Sequence, residues 1–439
     1  MYNKEIETLP LDKLRKLQNE RLQQMLLRQY THVPFYKKVF DERGLKPADI
    51  KGVEDLHKLP FTKKTDLRDN YPFDLFAVPK EEVVRIHASS GTTGKPTVVG
   101  YNRHDLEVFD EVVARSLVCA GARKGMKLHN AYGYGLFTGG LGMHGGATKL
   151  GMAVIPVSGG MTDRQLMILQ DFQPEVICCT PSYAQTLGEE IQKRGISLDS
   201  LNLKYAILGA EPWTEAIRQQ VEASLEVNAT NIYGLSEIIG PGVSQEDFEE
   251  KGSGSYIWED HFFPEIVDKD TGEPLPYGEE GVLVFTTLTK EALPILRYWT
   301  NDICSIYYDS DAKRTHIKMS PIKGRSDDML IIRGVNLFHT QVEDLLPAFP
   351  HLAPSYQLIV SREKTMDEVA LKVELDERVS NDLLGQNLSS TELCTELSAK
   401  LSKKIKDNIG ISMSVEICHF GEIPRSQGGK LSRIVDKRG

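Results

Sequence analysis

Between residues 84 and 235, short apolar runs alternate with amphipathic stretches, and that alternation leaves few folds open. Runs of strand length stand at 128–132, 153–157, 175–180, 203–208 and 229–233. Helical stretches lie near 104–120, 162–172, 182–195 and 213–226, with Thr162, Ser182 and Thr214 placed to cap three of them. Strands that are apolar along their whole length are buried on both faces, so an α/β fold with a mostly parallel sheet under helices is predicted. Ligands of such sheets bind beyond the carboxyl ends of the strands. The segments expected there are rich in Gly and polar side chains: 132–137, 159–160, 180–182, 209–212 and 233–237. One composite site is the expectation.

The chain around this region divides by pattern. Leu11, Leu14, Leu17, Leu22, Met25, Leu26 and Leu27 recur at helical spacing over 11–29, and an aromatic helix follows near 33–40. A turn and a helix start are read at 59–67. Residues 1–80 are read as a helical flank of a large domain spanning 81–325. Within it, 262–322 is predicted to form a small β subdomain, with strands at 262–267, 281–288 and 302–308 and turns at 270–272 and 277–279. Residues 326–439 form a small α+β C-terminal domain, with strands near 355–361, 368–375 and 412–418 and helices near 340–347 and 391–408. It ends in a Gly-rich tail that carries Lys430.

A chain of 439 residues is too long for one typical core. Its net charge of −10 argues against nucleic acid and against an anionic membrane surface as partners. No apolar run reaches the length of a membrane span. The first 29 residues are polar, without a signal-peptide core, and the six cysteines form no Cys-x-x-Cys pair. Reduced thiols in a cytoplasm are the expectation.

Residues 84–101 are predicted to form a strand, a phosphate-holding loop and a returning strand. Gly91 and Gly94 let backbone approach a ligand, while Ser89, Ser90, Thr92 and Thr93 add hydroxyls and Lys95 a charge. It is not the P-loop of other NTPases: two residues, not four, separate the glycines, and Pro96 follows the lysine. An ordinary Ser/Gly hairpin has the same composition. Tyr233, Gly234 and Glu237 follow an apolar strand, where a ring can meet a base and a carboxylate can hold Mg²⁺ on phosphates. Asp302 opens a strand and can accept from both hydroxyls of a ribose, or merely cap a turn. Arg325 and Asp327 sit in a charged turn after Gly324 that suits a hinge. Lys430 could neutralise charge developing between a carboxylate and a phosphate, or be a solvated tail lysine.

Taken in order, these stretches resemble the adenylate-forming ligase superfamily, and more closely its phenylacetate–CoA ligases. The resemblance runs from about Leu59 to Lys430 and includes Tyr134, Gly135 and Phe137, then Glu259, Asp260 and His261. It implies that the C-terminal domain is mobile and that the large domain binds AMP and the acid. It further implies a two-step reaction on ATP, Mg²⁺, an aryl carboxylic acid such as phenylacetate, and coenzyme A. Ser90, Gly91, Thr92, Thr93, Gly94 and Lys95 would hold phosphate. Gly209, Ala210, Glu211, Pro212, Tyr233 and Gly234 would line the adenine pocket. Glu237 would contact Mg²⁺, Asp302 and Arg325 the ribose, Asp327 would be the hinge, and Lys430 the catalytic cation of the first step. Tyr134, Gly135 and Phe137 would line the acyl pocket, with core packing the alternative for the two rings. Branch members often form dimers, and the resemblance extends a homodimer to this chain.

Departures are equally specific. Many relatives hold a zinc ion with Cys and His in the β subdomain. Here Asp247 and Tyr256 fall at two of those positions, and 309–315 lacks the cysteine pair, so no structural zinc is predicted. Two alternatives remain at this stage: an enzyme loading the acid onto a carrier-protein thiol, and a nucleotide-binding protein without catalysis.

Overall fold

The computed structural model describes residues 1–439 except 90–95, 327–329, 333–334, 364–365, 427–431 and 438–439; of the side chains at 331, 335, 336, 362, 363, 366 and 367 nothing is said. The alternating region builds a parallel half-sheet. Its order is Ala153–Ile155, Lys127–Asn130, Val176–Cys179, Tyr205–Gly209 and Asn228–Leu235, every neighbour parallel. Val176–Cys179 is buried at every position, as a strand between two helical layers must be.

At Asn228–Leu235 the sheet changes character. Its far side pairs antiparallel with Gly240–Glu246, and pairing runs on through Ser255–Ile257, Lys318–Met319, Tyr298–Tyr307 and Glu280–Thr287 to Phe262–Val267. The β-rich segment is thus continuous with the parallel sheet. The two predicted strands appear as an antiparallel pair, Arg85–Ser89 with Thr97–Tyr101; the predicted loop between them, at 90–95, lies outside the described residues. The helix Leu11–His32 lays Leu14, Leu22, Met25 and Leu26 against the core, and Pro34–Glu42 adds Tyr36 and Phe40.

The helix Thr138–Leu150 was not predicted, because five of its thirteen residues are glycine, the poorest ordinary helix former. Packing supplies what propensity lacks. A Cβ on Gly142 would run into the Phe109 ring, and one on Gly146 into Val113, so small residues let this helix lie directly on Arg103–Cys119. Two predicted caps shift. Thr180, not Ser182, caps Pro181–Lys193, because Pro181 fits the first helical turn, which needs no N–H there. Met161, not Thr162, stands before Thr162–Phe172. Thr214 holds its predicted place, but its side chain makes no capping bond.

The C-terminal residues form a separate four-stranded sheet, ordered Ser414–Cys418, Met366–Leu375, Leu352–Glu363, Ile434–Asp436. Glu392–Ile409 buries Leu397, Leu401 and Ile405 over it. Ile434–Asp436 was missed because three residues after a Gly-rich tail carry no periodicity, and only long-range pairing with Leu358–Val360 defines them.

Candidate active site

The carboxyl ends of the parallel strands bring the predicted segments together. After Tyr205–Gly209 the chain turns through Ala210, held at φ 70. An alanine in the left-handed region marks backbone kept in place by its surroundings. The next residue, Glu211, accepts from the Ser182 N–H at 3.2 Å and the Ser182 hydroxyl at 2.9 Å. The turns after two adjacent strands are thereby locked side by side.

Tyr233 and Asp302 meet across the switch in the sheet. The Tyr233 hydroxyl donates to Asp302 Oδ2 at 2.6 Å, and Arg325 donates to Asp302 Oδ1 at 3.1 Å. The register causes the second contact, because Asp302 lies directly opposite Arg325 in the antiparallel pair. Burial and the neighbouring carboxylate push the Tyr233 hydroxyl well above its usual range.

Glu237 is buried just beyond the same strand, at 7% exposure. Burial, with the charge of the Glu237 carboxylate nearby, raises the Tyr298 hydroxyl well above the ordinary tyrosine value. Lys290, also buried, donates to the Glu237 carbonyl at 3.2 Å. A single carboxylate suits a hard cation that arrives on phosphate oxygens and keeps its water, as Mg²⁺ on ATP does.

The acyl-pocket prediction falls on a fully described loop. Asn130, at a strand end, donates to the Tyr134 hydroxyl at 2.8 Å and to the Gly140 carbonyl at 2.8 Å. His144 lies 3.1 Å from the same hydroxyl. Burial pushes Tyr134 up to about 12. Phe137 is 52% exposed and stands at the head of Thr138–Leu150, so it is not core. The Leu136 carbonyl accepts from the Ala88 N–H at 2.9 Å, tying this loop to the strand that leads into 90–95.

The structure therefore groups Gly209, Ala210, Glu211, Pro212, Tyr233, Gly234, Glu237, Asp302, Arg325, Tyr134, Gly135 and Phe137 around one end of the sheet. Ser90, Gly91, Thr92, Thr93, Gly94, Lys95, Asp327 and Lys430 lie outside the described residues. Sequence reasoning missed Asn130, Tyr298 and Lys290. Asn130 sits in an apolar run with no signature, and Tyr298 lies in the stretch 297–302, which is read for its acid alone; Lys290 carries no local signal and is fully enclosed.

The positions compared with a zinc site converge as well, but on cations. Arg314 donates to Glu7 at 2.6 Å and to Asp247 at 2.5 Å, and its guanidinium lies 5.1 Å from the Tyr256 ring centre. Lys318 approaches the same ring at 4.8 Å. Two fixed positive charges there do not fit a bound metal. Among the described residues no group of three or more His, Cys, Asp or Glu could hold a metal ion, and no helix is long and apolar enough to cross a membrane.

The small domain reaches the large one through Arg425. Its Nε donates to Glu189 Oε2 at 2.9 Å, while its Nη atoms hold Glu374 at 2.8 and 3.0 Å.

Known proteins share this organisation. The AMP-binding enzyme family matches residues 41–288, and the AMP-binding enzyme C-terminal domain family matches 334–438. The phenylacetate-coenzyme A ligase of Thermus thermophilus is 62% identical over 445 residues, 100% of both chains. That of Escherichia coli is 50% identical over 99% of this chain and 97% of its own. Among solved structures, 2-hydroxyisobutyryl-CoA ligase with 2-HIB-AMP in the postadenylation state gives a TM-score of 0.90 at 26% identity, over 99% of this chain and 92% of that one. The same ligase with 2-HIB-AMP and CoA in the thioesterification state gives 0.72 at 27% identity. The modules of this chain are thus arranged as in the former state. The chain belongs to the AMP-binding, adenylate-forming enzyme family, beside its phenylacetate-coenzyme A ligases.

Proposed function

We propose that this chain is an ATP-dependent, AMP-forming ligase that joins phenylacetate or a close arylacetate to coenzyme A. In the first step the carboxylate oxygen attacks the α-phosphorus of MgATP in line; an acyl-adenylate forms and pyrophosphate leaves. In the second the coenzyme A thiol attacks the acyl carbon, a thioester forms, AMP leaves and the thiol proton is released. Catalysis at phosphorus consists mostly of positioning and charge neutralisation.

The observation that carries the reading is the Tyr233, Asp302 and Arg325 cluster, which places a polarised, buried carboxylate at the mouth of the parallel sheet. Asp302 and Arg325 are the ribose contacts in this proposal, and 209–212 with Tyr233 the adenine wall. Glu237 meets the Mg²⁺ that ATP brings. Residues 90–95 grip the leaving pyrophosphate, Asp327 is the hinge, and Lys430 neutralises charge in the first step. The exposed face of Phe137 and the anchored ring of Tyr134 offer flat apolar surface to an aryl group. All six cysteines are free and buried, which supports work in a reducing cytoplasm.

A panel of carboxylic acids, read by AMP production with and without free coenzyme A, tests the assignment. Arylacetate- and coenzyme-dependent AMP release is the expected result. Release only in the presence of a carrier protein overturns coenzyme A as acceptor, and absence of ATP–pyrophosphate exchange with every acid overturns catalysis itself.

A further inference from the structure

Lys290 is fully buried, and among the described residues the Asp105 and Glu237 carboxylates act on it through space, without a salt bridge. Burying an ammonium without a direct counter-charge is costly, and a chain tolerates it where the charge does something the fold needs. Burial lowers its proton affinity to about 8, and the more distant Asp105 and Glu237 carboxylates oppose that fall.

Its contacts join two parts of the site that are far apart in sequence. The ammonium donates to the Glu237 carbonyl at 3.2 Å and lies 4.8 Å from the centre of the Tyr101 ring, on its face. Tyr101 ends the second strand of the pair that flanks 90–95, opposite Arg85 in register. Its own hydroxyl donates to the Ile239 carbonyl at 2.8 Å, two residues beyond Glu237. One side chain therefore touches both the turn bearing the Mg²⁺ carboxylate and the strand pair that flanks 90–95.

Lys290 is itself held from below. Asp105 accepts from the Glu291 N–H at 2.6 Å and the Ala292 N–H at 2.9 Å, and Asn102 donates to the Glu291 side chain at 2.7 Å. These two acceptor and donor residues open the helix Arg103–Cys119, so the turn that carries Lys290 is fixed to a rigid element. The arrangement has the form of a strut between two ligand-bearing segments.

We propose that Lys290 is a positioning residue for adenylation: its ammonium ties the Glu237 turn to the Tyr101 strand and so sets the distance between the Mg²⁺ carboxylate and the paired strands Arg85–Ser89 and Thr97–Tyr101. This rests on Glu237 being the Mg²⁺ contact. Once the adenylate exists and pyrophosphate has gone, that distance no longer matters, so the second step is spared.

Lys290→Met, Lys290→Gln and Glu237→Gln, with the unaltered enzyme, test it. In each, the Mg²⁺ concentration for half-maximal ATP–pyrophosphate exchange is measured, with calorimetric titration of Mg²⁺ and α,β-methylene-ATP and the rate of thioester formation from synthetic phenylacetyl-adenylate. For Lys290→Met we expect half-saturation by Mg²⁺ to rise at least about fivefold and exchange to fall about 10- to 100-fold, with thioester formation within about threefold of normal. The titration should weaken in parallel. A shift in Glu237→Gln with none in Lys290→Met overturns the strut and leaves Glu237 standing. No shift in Glu237→Gln overturns the Glu237 assignment beneath it. Equal losses in both half-reactions for Lys290→Met show a merely structural lysine and overturn the proposal. Should Lys290→Met fail to fold, Lys290→Gln keeps a donor without the charge; an intermediate Mg²⁺ shift supports the strut, and an unmoved one overturns it.

Discussion

Two arginines hold two seams in this molecule, and they are built differently. Arg314 is 4% exposed, and its guanidinium lies between Glu7 and Asp247, both enclosed in the large domain. Arg425 sits at the boundary of the two domains, with a side chain 22% exposed, gripping buried Glu374 of its own domain by two bonds and half-open Glu189 of the large domain by one. The first arrangement excludes water on every side. The second keeps its strong grip within the small domain and offers the large one a single, partly hydrated bond. A seam meant to stay shut cannot leave a charge dry and unpaired, whereas a seam that must part needs a contact weak enough to break.

The comparison breaks most sharply at Arg314. Arg314→Met strands two enclosed carboxylates, a situation that costs about 3–5 kcal/mol. Thermal and urea unfolding should show that loss, and any surviving activity should fall alike in both half-reactions. A variant of normal stability would mean that Glu7 and Asp247 are not held by this charge.

In the proposed mechanism Lys430 is the cation of the first step only. Lys430→Ala should slow adenylation by roughly 10²–10³, the scale for one preorganised stabilising group, while thioester formation from preformed adenylate suffers less. Stability should be unchanged. Equal losses in the two half-reactions count against a cation delivered for one step only.

These two predictions were not equally legible. The strand and helix alternation gave the parallel half-sheet because strands buried on both faces advertise themselves as apolar runs. Tyr233, Asp302 and Arg325 were readable as separate motifs, and the register between Tyr298–Tyr307 and Gly324–Arg325 explains why they meet. The partners of these residues were hidden. Lys290, Tyr298 and Arg425 act through tertiary contacts whose sequence separations carry no local pattern. Thr138–Leu150 contradicts helix propensity outright and exists because its glycines admit Phe109 and Val113. Site residues chosen for chemistry leave a mark in sequence, and the residues that hold them in place mostly do not.

Burial also lowers histidines in both domains, most clearly His129 in the large one and His339 in the small one, so acid should loosen both. His129, whose ring bonds Gln165, is lowered to about 4, as is His339 beside Arg433. Both values lie below the ordinary 6.5, so the unfolded chain binds more protons between those limits. The stabilisation is complete above 6.5 and is lost as pH falls toward 4, with a slope of up to about 1.4 kcal/mol per pH unit for each ring. Urea midpoints measured across that range should flatten in His129→Gln and in His339→Gln. A slope unchanged in both variants would assign the acid lability to carboxylates instead.

The smallest effect is expected at the moving seam, and it is the most informative. Glu189→Gln removes the charge that meets Arg425 from the large domain while leaving the Glu374 bonds intact. Partly exposed pairs contribute about 0.2–1 kcal/mol, so stability should hardly change. What should change is the balance between domain arrangements. The pair is made in the arrangement shared with the postadenylation-state relative, so losing it disfavours that arrangement by up to about fivefold. Adenylation should slow by that factor, and thioester formation from preformed adenylate should hold or rise. If both half-reactions fall together, Glu189 supports the large domain only, and the contrast between the two arginines is one of exposure without consequence. If neither moves, and Arg425→Met also leaves their ratio intact, the seam does not govern the exchange of states, and the two domains part at no cost that this bond controls.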